Sequence, residues 1–148
     1  MTNELQKLID AKAKTERTTG LGRFMHARMQ MVFCNNGTWV GDADIVAKLK
    51  TIPDLMDIMG PDSRVEVPIA GTINGRFISR RIDRLYVNNK AKKVIVLDYK
   101  TDIDKSLFYT KYIAQLTEYR KLLEQIYKGF DIECKILWLN DFTLENIA

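Results

Sequence analysis

Residues 94–97 (VIVL) are the feature that most constrains the fold, because this apolar run leads directly into the polar residues 98–100 (DYK). Such a run suits a strand that is covered on both faces, so we expect Val94–Tyr99 to lie at the centre of a sheet. A helix with a periodic apolar face is predicted at Tyr109–Lys128, and a further apolar strand at Ile132–Leu139. A strand, a helix and a strand in this order indicate a crossover that joins parallel neighbours.

The segments before this unit complete the predicted architecture. Arg64–Ala70 and Arg76–Val87 read as strands, and the turn residues 88–90 fold the second of them back against the central strand. Asp42 and Pro53 can each begin a helix. The predicted helical segments are 3–14, Leu21–Phe33 (ended by the NNG sequence at 35–37), Ile45–Leu49 and Pro53–Met59. The sequence therefore predicts an α/β fold in a single domain, 1–148: a mixed β-sheet flanked by helices, with 1–18 as an N-terminal helical extension.

The composition is that of a globular protein, with 46% apolar and 28% charged residues among 148. No apolar run approaches the roughly 18 residues of a membrane span, and the first residues lack the apolar segment of a secretory signal. We therefore expect a cytoplasmic protein without a membrane partner. Cys34 and Cys134 are expected to be reduced thiols, and two cysteines are too few for a four-cysteine zinc or iron–sulfur site.

Positive charge is concentrated in one part of the chain. The segment Arg64–Lys128 holds 14 basic and 7 acidic residues, a net charge of +7, whereas the remainder carries −3. A basic patch is what a protein that binds nucleic acid presents to the phosphate backbone. An ordinary solvated surface is the alternative that charge alone leaves open.

Two acidic positions indicate a metal site. Side chains alternate along a strand, so Asp98 and Lys100 point to the same face. The turn at 88–90 can bring Asp83 of the preceding strand close to Asp98. Two converging carboxylates repel each other unless a cation neutralises them, and oxygen ligands suit Mg²⁺ or Mn²⁺. The alternatives are an ion pair at the end of the strand and pairing of Asp83 with a neighbouring arginine, Arg81 or Arg84.

Further candidates lie on other elements. His26, the only histidine, is on the predicted helix 21–33, where a packed or surface role is the alternative. Glu66 is on the first predicted strand and is otherwise a surface residue. Gln115 and Tyr119 are four apart and share one helix face, so they could serve a phosphate or a base, or form a buried hydrogen-bonded pair.

The order of these motifs carries a resemblance. The chain contains, in sequence, G-x-x-x-H ending at His26, E-V-P beginning at Glu66, I-D-R-L around Asp83, L-D-Y-K-T around Asp98, and Q-x-x-x-Y at 115–119. This resembles the C-terminal nuclease domain of RecB and AddA helicase–nucleases, a branch of the PD-(D/E)XK superfamily, from about Thr19 to the end. The last segments, 126–129 and 134–138, are most similar to AddA.

The resemblance implies a restriction-endonuclease-like fold and a Mg²⁺- or Mn²⁺-dependent deoxyribonuclease, acting as exonuclease or endonuclease in double-strand-break repair and recombination. It implies metal ligation by the side chains of His26, Asp83 and Asp98 and by the backbone carbonyl of Tyr99. It implies catalytic roles for Asp83, Asp98 and Lys100. Supporting roles fall on Glu66, Gln115 and Tyr119. The arginines of the second strand would grip the DNA backbone: Arg76, Arg80, Arg81 and Arg84.

The expected partners are DNA and a helicase polypeptide. No GxxxxGK[ST] sequence is present, so we expect no ATP site and no helicase motor in this chain. A catalytically idle nuclease-fold module that binds DNA or docks a helicase is the alternative function. A purely structural α/β protein is a third hypothesis, and it predicts that Asp83 and Asp98 lie too far apart to share an ion.

Overall fold

The structure, a computed structural model, describes residues 6–7 and 22–147. Residues 6–7 are helical, and the rest of the predicted helix 3–14 and of the extension 1–18 lies outside the described residues. The helices are α1 (22–30), α2 (Ala43–Leu49), α3 (Leu55–Ile58) and α4 (Tyr109–Ile126). The strands are β1 (Phe33–Asn35), β2 (Thr38–Val40), β3 (Ser63–Ile73), β4 (Arg76–Asn88), β5 (Lys93–Lys100), β6 (Asp131–Trp138) and β7 (Thr143–Ile147).

The main sheet has the strand order β3-β4-β5-β6-β7, with β5 in the middle. Strands β5 and β6 are parallel, and α4 lies between them in the chain, whereas the other neighbours are antiparallel. The predicted mixed sheet and the parallel crossover pair are therefore confirmed. Among the described residues, no helix has the length and apolarity needed to cross a membrane.

Strand β5 is buried on both faces because helices cover both. Val94 and Val96 pack in a core with α4, whose buried residues include Leu116 and Leu122. Ile95, Leu97 and Tyr99 pack in a second core with α1, α2 and α3. This explains why residues 94–97 are continuously apolar rather than alternating. Both cysteines are free, buried thiols, and Cys134 lies in the first core.

The segment around residue 33 differs from its prediction. Helix α1 ends at residue 30, and Phe33 begins a small hairpin, so the predicted helix to Phe33 is wrong at its end. Asn36 and Gly37 form the two-residue turn of this hairpin, with φ values of 52° and 81°. Asn-Gly is favoured at such a turn because both positions require positive φ. Strand β7 was not predicted either, whereas Asp42 caps α2 as expected, accepting from Ile45 N at 3.0 Å.

Strands β3 and β4 extend beyond the rest of the sheet. The last β4–β5 pair is Arg84 with Leu97, whereas β3 and β4 remain paired as far as Ile73 with Arg76. We call residues 67–82, the part of this strand pair that extends past the last β4–β5 pair, the arm. One face of the arm packs on α4 through Ile69, Ile78 and Ile82.

Candidate active site

The site lies where β4 and β5 separate. Asp83 Oδ2 accepts a hydrogen bond from the backbone N–H of Tyr99 at 2.8 Å, so this carboxylate bridges the ends of the two strands. Helix α1 approaches from one side of the sheet and α4 from the other. Together they enclose a cleft of about 550 Å³. Most of the predicted site residues line it, namely His26, Glu66, Arg81, Asp83, Asp98, Tyr99, Lys100, Gln115 and Tyr119.

Asp98 is almost completely buried and is paired with Lys100. Lys100 Nζ lies 3.0 Å from Asp98 Oδ2, yet this oxygen has no aligned hydrogen-bond donor among the described residues. Burial raises the pKa of Asp98 to about 7; the nearby charge of Asp83 acts in the same direction, and the Lys100 ammonium opposes both. Asp98 therefore holds a proton far more readily than an exposed aspartate does.

Asp83 and Asp98 line the same cleft, and Asp83 accepts from the backbone N–H of the residue directly after Asp98. The negative charge of Asp83 helps to raise the pKa of Asp98, because two nearby carboxylates repel each other. This placement argues against the wide separation that the structural-protein hypothesis predicts. Asp83 pairs with neither Arg81 nor Arg84 in the described structure.

His26 faces Asp83 from α1. Its Nδ1 lies 2.7 Å from the Gly22 carbonyl oxygen, and its Nε2 lies 3.3 Å from Asp83 Oδ2. Burial alone would lower the pKa of His26, but the hydrogen bond and charge of Asp83 outweigh it and raise the pKa to about 9. The same contact holds the pKa of Asp83 below its usual value in spite of burial. His26 and Asp83 are thus an ion pair at neutral pH.

Gln115 and Tyr119 hold Lys100 in place. Lys100 Nζ donates to Gln115 Oε1 at 3.0 Å, and Gln115 Nε2 donates to the Tyr119 hydroxyl at 2.7 Å. The Tyr119 hydroxyl in turn donates to the carbonyl of Arg81 at 3.3 Å. This chain of donors fixes the orientation of the glutamine amide, whose oxygen must face the ammonium.

Two further residues lie around Lys100, namely Tyr112 and Asp102, and the sequence did not identify them as site residues. Lys100 Nζ lies 4.2 Å from the centre of the Tyr112 ring, a cation–π contact, and the Tyr112 hydroxyl donates to Asp102. Tyr112 is three residues before Gln115 on α4, so helical spacing was a signal that could have identified it.

Glu66 lies opposite Asp83, between the pairs Val65–Arg84 and Val67–Ile82. Its φ of 52° is unusual for a glutamate in a strand, and strained backbone of this kind clusters at functional sites. Glu66 Oε1 accepts from Gln30 Nε2 at 2.9 Å. Gln30 was not predicted, although it is four residues after His26 and shares its face of α1.

Arg84 is not a surface residue, and its predicted contact with DNA is wrong. It is fully buried, and its guanidinium donates to the Tyr99 hydroxyl, Ser63 Oγ and the carbonyls of Met29 and Val32 at 2.8–3.0 Å. The two carbonyls lie at and just beyond the C-terminal end of α1, where the helix dipole favours a cation. Arg84 therefore fastens β4 and β5 to the helix that carries His26.

The other three arginines remain exposed, but only Arg81 lines the cleft. Its guanidinium lies 3.7 Å from Glu66. Arg80 pairs with Glu118 of α4 at 3.0 Å. Arg76 is seven residues from Asp83 along β4, about 23 Å at ~3.3 Å per residue. The predicted arginine row is thus spread along the arm rather than gathered at the carboxylates.

The donor set fits a divalent cation, although it is not arranged as a cage. Among the described residues, no three His, Cys, Asp or Glu side chains converge closely enough to hold an ion. Instead, the candidate ligands pair with one another and with Lys100. Asp98 nevertheless has a buried oxygen without a hydrogen-bond partner, which an ion would satisfy. The His26 contact with the Gly22 carbonyl is the one that metal-binding histidines make through their second nitrogen, leaving Nε2 for the ion.

Comparison with known proteins supports the fold. No family model matches the sequence, and no curated protein matches it. A solved structure from Eubacterium rectale, of a protein provisionally named an exonuclease, is similar with a TM-score of 0.50 and 15% sequence identity. The match covers 95% of this chain and 58% of that protein. At this identity the likeness shows a shared fold, in agreement with the predicted α/β class.

Proposed function

We propose that this chain is a metal-dependent nuclease that hydrolyses phosphodiester bonds in DNA. The observation that carries the proposal is the convergence of Asp83, Asp98 and Lys100 where β4 and β5 separate, inside an open cleft. A carboxylate pair beside an ammonium is the set of groups that phosphodiester hydrolysis needs: ligands for a divalent cation and a positive charge near the attacked phosphate.

The cation would be Mg²⁺ or Mn²⁺, held by Asp83, Asp98, His26 Nε2 and the carbonyl of Tyr99. When bound, it supplies Lewis-acid polarisation of the phosphate and favours ionisation of water. Lys100 has a separate task, because Gln115 and Asp98 hold its ammonium at a fixed point of the cleft. There it orients the attacking water and offsets the negative charge that develops on the phosphate. Water adds to phosphorus, the bond to the leaving oxygen breaks, and that oxygen takes up a proton.

The finer assignment is that the chain is the nuclease module of a RecB- or AddA-type helicase–nuclease acting in double-strand-break repair. The order and spacing of the motifs around His26, Asp83, Asp98 and Gln115 support it. The similar fold of a protein named as an exonuclease supports the nuclease part. Because this chain spans little more than half of that protein, a further domain or a partner is part of the proposal, with a helicase polypeptide as its expected identity.

The test is cleavage of end-labelled linear single- and double-stranded DNA in the presence of Mg²⁺ or Mn²⁺. We expect cleavage that EDTA abolishes and that Lys100→Met lowers by at least about 100-fold, the usual effect of removing a charge-stabilising group. Lys93→Met is the matched control. It removes a lysine from the other end of β5, where Lys93 pairs with Glu133, and should leave cleavage unchanged.

A catalytically idle module that binds DNA or docks a helicase is the second candidate. It is favoured by one observation, namely that no three described ligands converge and that the site groups pair among themselves. The same assay separates the two functions. DNA binding without metal-dependent cleavage, unchanged by Lys100→Met, would support the idle module and contradict the nuclease.

A further inference from the structure

The arm carries positive charge without any acidic residue. Residues 67–82 include three arginines and no aspartate or glutamate. Arg80 is paired with Glu118 of α4 at 3.0 Å. Arg81 lies 3.7 Å from Glu66, but its side chain is 68% exposed and can still contact another anion. Arg81 stands where the arm meets the cleft. Arg76, at the far end, is on the same side of β4 as Ile78, which packs on α4.

The arm has one face without a covering layer of side chains. Alternate residues pack on α4, and a Cβ at Gly71 would lie only 2.9 Å from Leu122 Cδ2, so the contact with the helix is close. The residues that alternate with these along β3 and β4 point to the side away from α4, and all of them are exposed. We call this side the open face; it consists of Pro68, Ala70, Thr72, Phe77, Ser79 and Arg81.

Phe77 is the one large apolar side chain of the open face. It is 70% exposed, which is unusual for a phenylalanine. It lies six residues from Asp83 on β4, about 20 Å at ~3.3 Å per residue. The other residues between Phe77 and Arg81 are small, so the surface is flat and leads directly into the cleft.

We propose that the open face of the arm binds one strand of nucleic acid on its way to the carboxylates, with Phe77 stacking on an unpaired base. The inference rests on the proposed function and adds to it the path that the nucleic-acid strand follows across the protein. A distance of about 20 Å corresponds to roughly six stacked nucleotides at ~3.4 Å each. Arg81 would contact a phosphate, while the aromatic ring serves any base, because every base has a flat apolar surface.

A polyanion suits this face better than a protein partner does. A protein interface of standard size needs several apolar anchors in its centre, and the open face offers one ring among small and polar side chains. A chain of phosphates with flat bases needs only a cation and a stacking ring. The continuity with the cleft through Arg81 gives the strand its direction.

The test compares Phe77→Ala with the parent protein in binding, in a Lys100→Met background so that DNA is not cut. Fluorescence anisotropy is measured with a labelled twelve-nucleotide single strand and with a labelled dinucleotide, which is too short to span the arm. Loss of base–aromatic stacking should weaken binding of the longer strand roughly fivefold or more. Binding of the dinucleotide should not change. Met31→Ala removes an equally exposed apolar side chain outside the arm and is the matched control.

A second variant provides a signal of stacking. Phe77→Trp should keep the affinity, and the emission of the new tryptophan should fall when the twelve-nucleotide strand binds. Equal weakening by Phe77→Ala for a paired twelve-base-pair duplex would contradict stacking on an unpaired base. Unchanged binding of the long strand would overturn the inference while the nuclease proposal stands. If the parent binds neither oligonucleotide, the proposed function fails together with the inference.

Discussion

At the scale of single residues, Arg84 shows how the histidine is held at the site. It is a buried cation whose described partners are neutral: a hydroxyl from each of Tyr99 and Ser63, and two carbonyls at the end of α1. The guanidinium also lies 4.6 Å from the centre of the Phe33 ring. Burying a charge without a carboxylate is costly unless it is hydrogen-bonded, and here four of the five guanidinium N–H groups donate. The same bonds fix α1, and hence His26, relative to Asp83.

Arg84→Met should therefore lower the free energy of unfolding by at least about 2 kcal/mol, because it leaves buried acceptors without a donor. The stability of Arg84→Lys should fall between those of the parent protein and Arg84→Met, since an ammonium has fewer donors than a guanidinium and lacks its planar fork. Urea unfolding measures both. Arg76→Met, at an exposed position of the same strand, is the control and should change stability by no more than about 0.5 kcal/mol. If Arg84→Met were as mild as this control, the anchoring role would be excluded.

The sequence could predict some of these residues and not others. Asp98 and Lys100 follow from strand alternation, and Asp83 follows from the turn that folds β4 against β5. The burial of Arg84 could not be read in the same way. It sits in the sequence close to three exposed arginines, and only the docking of α1 against β4 makes it internal. Tertiary packing, rather than local pattern, decided its environment.

At the scale of elements, local signals located most helices and strands. The misplaced end of α1 has a physical reason, because residues 21–33 keep an apolar spacing close to that of a helix although Phe33 pairs with Val40. The Asn36-Gly37 turn was the signal that favours a β-hairpin starting at Phe33 over a continued helix. Strand β7 is half-exposed and lies at the edge of the sheet, so its residues lack the apolar run that reveals a central strand.

The arm depends on the close contact between Gly71 and α4. Gly71→Val would place methyl groups where Leu122 already lies, and overpacking of this kind costs about 1–3 kcal/mol. We expect urea unfolding to show that loss. Ala70→Val adds volume at the neighbouring position on the exposed open face and should stay within about 0.5 kcal/mol of the parent. Equal effects of the two substitutions would mean that the arm is not packed on α4 as described.

At the scale of the whole molecule, protons and a metal ion compete for the same groups. Burial and Asp83 raise the pKa of Asp98 to about 7, so the metal-free protein loses stability as pH rises from the ordinary aspartate value of 3.8 through 7. The raised pKa of His26, about 9, stabilises the protein fully below its ordinary value of 6.5, and this contribution disappears as pH rises through 9. The two groups together thus make the stability of the metal-free protein fall as pH rises from 6 to 9.

A divalent cation should reverse this trend, because it needs an ionised Asp98 and a His26 Nε2 without a proton. We expect Mn²⁺ at 100 times its dissociation constant to stabilise the folded chain by about 2.7 kcal/mol. For a domain of this size that is a rise in Tm of roughly 5–10 °C. At one fixed Mn²⁺ concentration, the rise should be larger at pH 8 than at pH 6, because fewer protons must be displaced.

Thermal unfolding with and without Mn²⁺, at both pH values, measures this effect without requiring any cleavage. Asp98→Asn should abolish the rise in Tm, since an amide gives up the charge that the ion needs. Asp62→Asn, at an exposed turn before β3, is the control and should leave the rise intact. A rise in Tm that is independent of pH, or one that survives in Asp98→Asn, would place the bound ion away from these carboxylates. That result would leave the raised pKa of Asp98 as a feature of the metal-free fold alone.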